Sequence, residues 1–329
     1  MKLRTALIAS AGLLTLAACQ TVTSDQAIET EEINAAAEAS EVQEADLEVE
    51  EEVASPEVES EKEYTQTNAE KLWDILDDQP DEVKARYDAR HPYETLTFFG
   101  IEPGMNVMEA LPGGGWYSKL LMPYIGAEAT FTGGQYPDEI WPIIFPDADA
   151  ERLAGFASRG AAWAETAQGW GVENAPEINS YFMTKADAET SDLFDAALFI
   201  RALHNLNRSE AEYGLMAATI AETYRLMKPG GIVGVVQHRA GEDTPDDWAG
   251  GPNGYLKQSY VVEVFENAGF VLEAESDINA NPADTAGEGD MVWRLPPSLM
   301  TTQEGTPEQA AMIEIGESDR MTLRFRKPE

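Results

Sequence analysis

Cysteine is almost absent from this 329-residue sequence, which has one, Cys19, and only three histidines, His91, His204 and His238. A single thiol excludes a disulfide framework within the chain, and one cysteine with three scattered histidines gives no ligand spacing of the zinc type, so no metal site is expected. Positive charge is scarce as well: 22 basic side chains stand against 60 acidic ones, for a net charge of −38. So acidic a chain repels phosphate backbones, and with no basic run in the sequence nucleic-acid binding is set aside. The plainest use of such acidity is solubility. Also missing are a Gly-x-Ser-x-Gly elbow, a phosphate loop ending in Gly-Lys-Ser or Gly-Lys-Thr, and a Ca²⁺ loop among the acidic residues. The one long apolar stretch, Ala6 to Ala18, is too short to cross a bilayer as a mature helix.

That stretch follows Lys2 and Arg4 and ends Leu16-Ala17-Ala18-Cys19. It resembles the bacterial lipoprotein signal, whose Leu-small-small-Cys box is cut just before the cysteine. The resemblance implies a signal peptide over 1–18, a diacylglyceryl group on the Cys19 thiol and an acylated new amino terminus. An ordinary secretory signal ending in Ala-Ala-Cys is the plainer alternative. Several acyl chains on one residue anchor stably, where one chain binds membranes only marginally. Gln20 is not the aspartate that retains some lipoproteins in the inner membrane, so the expectation is the periplasmic side of the envelope, at the outer membrane. Between Asp25 and Glu63, 16 of 39 residues are Asp or Glu, with Lys62 the one base and no aromatic residue. Such a segment buries too little apolar surface to order itself, and 19–63 is expected to be an acidic tether.

A folded domain is expected over 64–329, and a hydrophobic content of 43% suffices for its core. Asn68 is placed as the cap of a helix through Leu72, Trp73, Ile75 and Leu76. A second helical stretch runs from Pro80 to Tyr87 and continues after Arg90-His91-Pro92-Tyr93 over Thr95 to Phe99, closed by Gly100. From there strands alternate with helices. Strands are read at Asn106–Leu111, Ala129–Thr132, Ile178–Thr184, Asp195–Arg201, Ile232–Gln237, Phe270–Glu275 and Met321–Arg326. Helices are read at Trp116–Ile125, Ala148–Arg159, Ser209–Met227 and Gln258–Ala268. The alternation implies an α/β fold, a mostly parallel sheet with helices on both faces.

The segment Val107-Met108-Glu109-Ala110-Leu111-Pro112-Gly113-Gly114-Gly115-Trp116-Tyr117 is an apolar strand ending in an acid, then a glycine-rich turn opening a helix. Glycines let backbone approach a ligand closely, and a helix N-terminus offers free N–H groups. The spacing is not the Gly-x-Gly-x-x-Gly of dinucleotide binders. It resembles motif I of class I S-adenosylmethionine-dependent methyltransferases, with Leu111 at the usual first-glycine position and Gly113 and Gly115 at the later two. Phe194 to Ile200 resembles that family's fourth-strand motif, Leu226-Met227-Lys228-Pro229-Gly230-Gly231 its turn into strand five, and Met321 to Phe325 its antiparallel seventh strand. More narrowly, the chain is similar to a group of bacterial exported predicted methyltransferases. The marks are Arg90-His91-Pro92, Thr95 to Gly100, Pro112 to Tyr117, His204-Asn205, Gln237-His238-Arg239-Ala240, Ile278 to Pro282 and Gly316 to Met321.

The resemblance covers roughly 68–328. It implies a Rossmann-like, seven-stranded sheet with an antiparallel last strand, S-adenosyl-L-methionine as cofactor, and cofactor contacts from Glu109, Leu111, Pro112, Gly113, Gly114 and Gly115. At the end of the second strand the family places an acid on the ribose hydroxyls, where this sequence has Gln135. Three alternatives stay open: Gln135 takes that role, Asp138 or Glu139 reaches in, or cofactor binding has decayed. Asp187 is a candidate adenine contact, with a surface turn as its alternative. His204 and His238 follow the fourth and fifth strands and are candidate proton acceptors, or structural hydrogen-bonding groups. Tyr117 is a candidate wall of the methyl-transfer channel, Arg90 and His91 candidates to close over the cofactor carboxylate, and Trp116, Trp141, Trp163, Trp170 and Trp248 core residues or pocket walls. The leading expectation is a methyltransferase acting on a small molecule or envelope component. A non-catalytic binding or scaffold protein is the second reading and a dinucleotide-dependent oxidoreductase the third. The sequence leaves the oligomeric state open.

Overall fold

A strand that is apolar on both faces has to be covered on both, and that demand organises the chain. The computed structural model describes residues 66–329; Cys19 and the acidic stretch expected to serve as a tether lie outside the described residues. Helices α1 (Asn68–Asp77), α2 (Asp81–Lys84), α3 (Tyr87–Arg90) and α4 (Pro92–Phe99) come first. Thr67, not Asn68, caps α1: its hydroxyl accepts from the Glu70 N–H while the Glu70 carboxylate accepts from the Thr67 N–H. The stretch read as one helix over 80–99 is three. Ala85-Arg86 interrupts it once, and His91, held at φ 41°, interrupts it again before Pro92 restarts it.

Then follow β1 (Val107–Ala110), α5 (Ser118–Ile125), β2 (Thr130–Gln135), the short α6 (Trp141–Ile144), α7 (Ala150–Ala161), α8 (Trp163–Gln168) and β3 (Glu177–Phe182). The second half holds β4 (Phe194–Ile200), α9 (Leu203–Asn207), α10 (Glu210–Tyr213), α11 (Leu215–Leu226) and β5 (Met227–Ala240). It closes with the two-residue β6 (Leu256–Lys257), α12 (Gln258–Asn267), β7 (Val271–Ser276), α13 (Pro307–Ile315) and β8 (Arg320–Arg326). The single helix expected over 209–227 is broken at Gly214, which sits at φ 61°. The Glu210 carboxylate turns back to accept from the N–H groups of Met216 (2.6 Å) and Ala217 (3.2 Å), so the break makes a cap for α11.

The main sheet runs β3-β2-β1-β4-β5-β8-β7, with β8 antiparallel to both its neighbours and the other pairings parallel; β6 pairs with the far end of β5. The expected mostly parallel, seven-stranded sheet with an antiparallel last strand is the one observed. Strand β4 shows how two cores arise from one strand. Ala196, Leu198 and Ile200 enter the core made with α1, α4, α5 and α8, while Ala197 and Phe199 enter the core made with α9, α11 and α12. Full burial of a side chain such as Phe199 stabilises by about 2 kcal/mol. Glu109 is the exception, a carboxylate in a strand whose four residues are all buried.

Candidate functional site

The chain lays β1, β2 and β3 in one direction across the sheet, then returns to place β4 and β5 on the other side of β1. The crevice beyond the carboxyl ends of β1 and β4 is therefore a topological switch point, where an open parallel sheet leaves room for a ligand. Two adjoining cavities occupy it, of about 470 and about 480 Å³, and both are lined by Leu111, Gly113 and Asn205.

The glycine-rich turn separates the two. The Leu111 N–H donates to the Gly134 carbonyl (2.8 Å) and the Gly115 N–H to the Pro112 carbonyl (2.9 Å), folding the loop back onto β2. Its glycines do different work. A Cβ on Gly115 would lie 2.0 Å from the Trp170 ring, so the space a side chain would take is filled by protein, while its backbone lines the first cavity. A Cβ on Gly114 would meet nothing within 4 Å, and on Gly113 nothing nearer than the Leu111 carbonyl at 4.0 Å. The open backbone is thus Gly113-Gly114. Trp163 steadies it through its indole N–H, which donates to the Gly113 carbonyl at 3.1 Å.

The first cavity is framed by Glu109, Arg90, Tyr117, Arg201, His204 and His238. Burial pushes the Glu109 carboxyl up to about 7, against the opposing pull of the Ser118 hydroxyl, which donates to it at 2.6 Å, and of Arg201. The Tyr117 hydroxyl donates to the Arg90 carbonyl (3.0 Å) and its ring meets Trp116 edge-on at 4.8 Å. Arg90 stacks its guanidinium over Trp116, 4.5 Å from the ring centroid, and reaches Glu317 at 3.4 Å.

Glu317 also receives Arg86, whose Nε lies 2.8 Å from it, and Arg320 at 3.2 Å. Burial pushes this carboxyl up, but Arg320, Arg90 and Arg86 outweigh burial and hold it below the usual carboxylate range. One carboxylate thus serves three guanidiniums. A fourth, Arg201, follows β4 at φ 55°. Its Nε is buried without a partner, and among the described residues its side chain makes no hydrogen bond or ion pair. A local concentration of positive charge therefore exists in this acidic chain. Three separate segments supply it, which is why no run in the sequence betrays it.

The two histidines stand beside Arg201, their ring centroids 5.2 Å apart. Gln237 fixes the His204 tautomer. The amide Nε2 donates to the carbonyls of Gly254 (2.9 Å) and His238 (3.3 Å), so the amide oxygen can only accept, from His204 N–H at 3.3 Å and Nδ1–H at 3.2 Å. The lone pair is therefore on Nε2. Burial brings His204 down to about 4, only partly offset by Gln237, so the ring is neutral at neutral pH. His238 lies 2.5 Å from the Ser318 hydroxyl through Nδ1, and burial together with His204 holds it well below the ordinary histidine value. Trp293 lines the same cavity and meets His204 edge-on at 5.9 Å.

The second cavity is aromatic, walled by Tyr136, Trp141, Phe145, Phe156 and Trp163. Gln135, at the end of β2, enters it with a buried Nε2 that has no partner. Neither Asp138 nor Glu139 lines it; Glu139 is exposed and paired with Lys185. Asp187 lines neither cavity and sits in an exposed turn, the alternative left open for it, where its carboxylate accepts from the Glu189 N–H at 3.0 Å. His91 faces a separate groove beside Trp73 and Tyr93, not the cavity that Arg90 enters. Trp170 packs on Gly115, and Trp248 stacks on Tyr255. Among the described residues no cluster of metal-binding side chains occurs, and no helix is long and apolar enough to cross a membrane.

Several site residues escaped the sequence reading: Arg201, Trp293, and the roles of Glu317, Ser318 and Arg320. Their signal was partly there, because Gly316 to Met321 was singled out as a motif. Its chemistry shows only when β8 brings it beside β5, pairing His238 with Arg320.

No protein-family model matches the sequence, and no curated protein matches it. Solved structures do show similarity to it. One is the cyclase SpnF, 18% identical, covering 73% of this chain and 81% of its own, with a TM-score of 0.46. Another is a SAM-dependent methyltransferase from Aquifex aeolicus, 17% identical, covering 61% and 93%, with a TM-score of 0.42. A third is geranyl diphosphate methyltransferase in complex with SAM, 13% identical, covering 78% and 94%, with a TM-score of 0.46.

Proposed function

We propose that this chain is an S-adenosylmethionine-dependent methyltransferase of the bacterial cell envelope, anchored on its periplasmic side through lipid on Cys19, and acting on a small molecule or envelope component. The observation that carries the reading is the switch-point crevice, where the open Gly113-Gly114 backbone stands between a cavity with Glu109 and a cavity with the orphaned Gln135 amide. These residues fit the cofactor. Glu109 suits an ammonium group, Arg90 a carboxylate, and the Gln135 Nε2–H a ribose hydroxyl oxygen; Tyr136 and Trp141 offer faces to an adenine.

Bound there, the cofactor supplies an electrophilic methyl group on a sulfonium. The chain's own contribution is alignment, exclusion of water and one proton acceptor. Neutral His204, fixed by Gln237 with its lone pair on Nε2, is placed to take the proton that an oxygen or nitrogen acceptor loses. His238 keeps the neighbouring wall uncharged. A second reading, a protein that binds ligand without transferring methyl, is favoured by Gln135 standing where an acid would bind ribose more strongly.

Incubating the full-length chain with methyl-tritiated cofactor and envelope extract separates the two. Label passed to an extract component, and lost in His204→Gln while cofactor binding persists, is the expected result. Retained cofactor with no transfer to any fraction supports the second reading. Acyl labelling that disappears in Cys19→Ser tests the anchor.

A further inference from the structure

Arg201 is the anomaly in this crevice. A guanidinium that lines a cavity with its Nε buried and unpaired is costly to fold around, and an anionic ligand is one group that would complete it. The other three arginines of the cluster already share Glu317, and Arg90 is further held by Trp116. Arg201 feels Glu317 and Glu109 only through space and makes no hydrogen bond or ion pair with either. Its backbone is fixed in the left-handed region by a hydrogen bond from its N–H to the Val236 carbonyl at 2.6 Å, so it is held at the β4 end of the crevice, three residues before His204. Asn205, with no side-chain partner among the described residues, lines the same cavity.

We propose that Arg201 is the seat for an anionic group, a carboxylate or phosphate, on the methyl acceptor, so that the substrate is an acid or phosphate ester whose nucleophilic atom lies towards His204 and His238 under Trp293. Calling the anion the acceptor rests on the methyltransferase reading; the anion site itself does not. Two guanidiniums in one crevice divide the work: Arg90, on the glycine-loop side, takes the carboxylate of the cofactor, and Arg201, on the histidine side, takes that of the acceptor. The planar fork of arginine suits both carboxylate and phosphate. In a chain of net charge −38 a built cationic pocket also concentrates selectivity at one place, because an anion meets repulsion elsewhere on the surface.

The test uses the full-length chain and three probes of one shape: benzoate, phenyl phosphate and the neutral benzamide, read by quenching of tryptophan fluorescence and by calorimetry. Benzoate or phenyl phosphate is expected to bind at least tenfold more tightly than benzamide, and which of the two does so separates a carboxylate from a phosphate acceptor. Arg201→Met is expected to remove at least tenfold of that affinity while S-adenosylhomocysteine binding changes less than threefold. Should that variant fail to fold, Arg201→Gln replaces it. Equal binding of benzamide and both anions, or anion binding that survives loss of Arg201, overturns the proposal. So does a loss of S-adenosylhomocysteine affinity in place of anion affinity, which would give Arg201 to the cofactor. Anion binding in a protein that takes no S-adenosylhomocysteine sinks the methyltransferase reading and leaves the anion site standing.

Discussion

Glu109 shows how one residue can be read correctly by type and incompletely by environment. Its place at the end of an apolar strand was legible, because an acid ends a run of Val-Met before glycines. That the strand is buried was legible too; that the Glu109 carboxyl is buried with it was not, since this depends on β2 and β4 closing on both sides. Its carboxyl is raised to about 7, so the fold favours the protonated form. Stability from this group is complete below its ordinary value of 4.5 and is lost as pH rises through 7. A shift of that size corresponds to about 3 kcal/mol. In urea unfolding of the ligand-free protein, Glu109→Gln should therefore gain about 3 kcal/mol on the parent chain between pH 4.5 and 8; parallel curves would contradict the assignment. His204 acts on the other side. Its folded value lies below the ordinary one, so its contribution is present above pH 6.5 and is lost as pH falls through about 4.

At the scale of elements, the alternation of strands and helices was legible, and the breaks were not. Polar residues and one glycine did not reveal that Glu210 folds back to cap α11, since the cap joins a side chain to N–H groups six and seven residues later. The β1–α5 turn was legible as a glycine-rich turn opening a helix, but its glycines could not be told apart until Trp170 was placed. Substitution is expected to separate them. Gly115→Ala puts a Cβ into Trp170 at a φ of 73°, and should lower stability by about 2 kcal/mol or more. Gly114→Val meets open space, and should leave the melting temperature nearly unchanged while abolishing S-adenosylhomocysteine binding. Equal melting temperatures for the two variants would undo this division of roles.

On the scale of the whole molecule, charge and connectivity meet at Glu317. Its three arginines come from the first helices and from β8, so one carboxylate ties the start of the described domain to its last strand. Only the fold assembles that node from positions 86, 90, 317 and 320, which is why the composition, so acidic throughout, reads as if no cationic site existed. Glu317→Gln leaves three guanidiniums without their shared partner, and should cost on the order of 3 kcal/mol by thermal or urea unfolding. A change under about 0.5 kcal/mol would mean that the arginines find other partners.

The central claim is that the Gly113-Gly114 turn and the two cavities beside it hold S-adenosylmethionine. Calorimetric titration of S-adenosylhomocysteine into the full-length folded chain, alongside Gly114→Val, tests it most directly. The account predicts saturable one-to-one binding to the parent chain and none to the variant at an equal melting temperature. No binding to a parent chain shown to be folded, or equal binding by both, would contradict it.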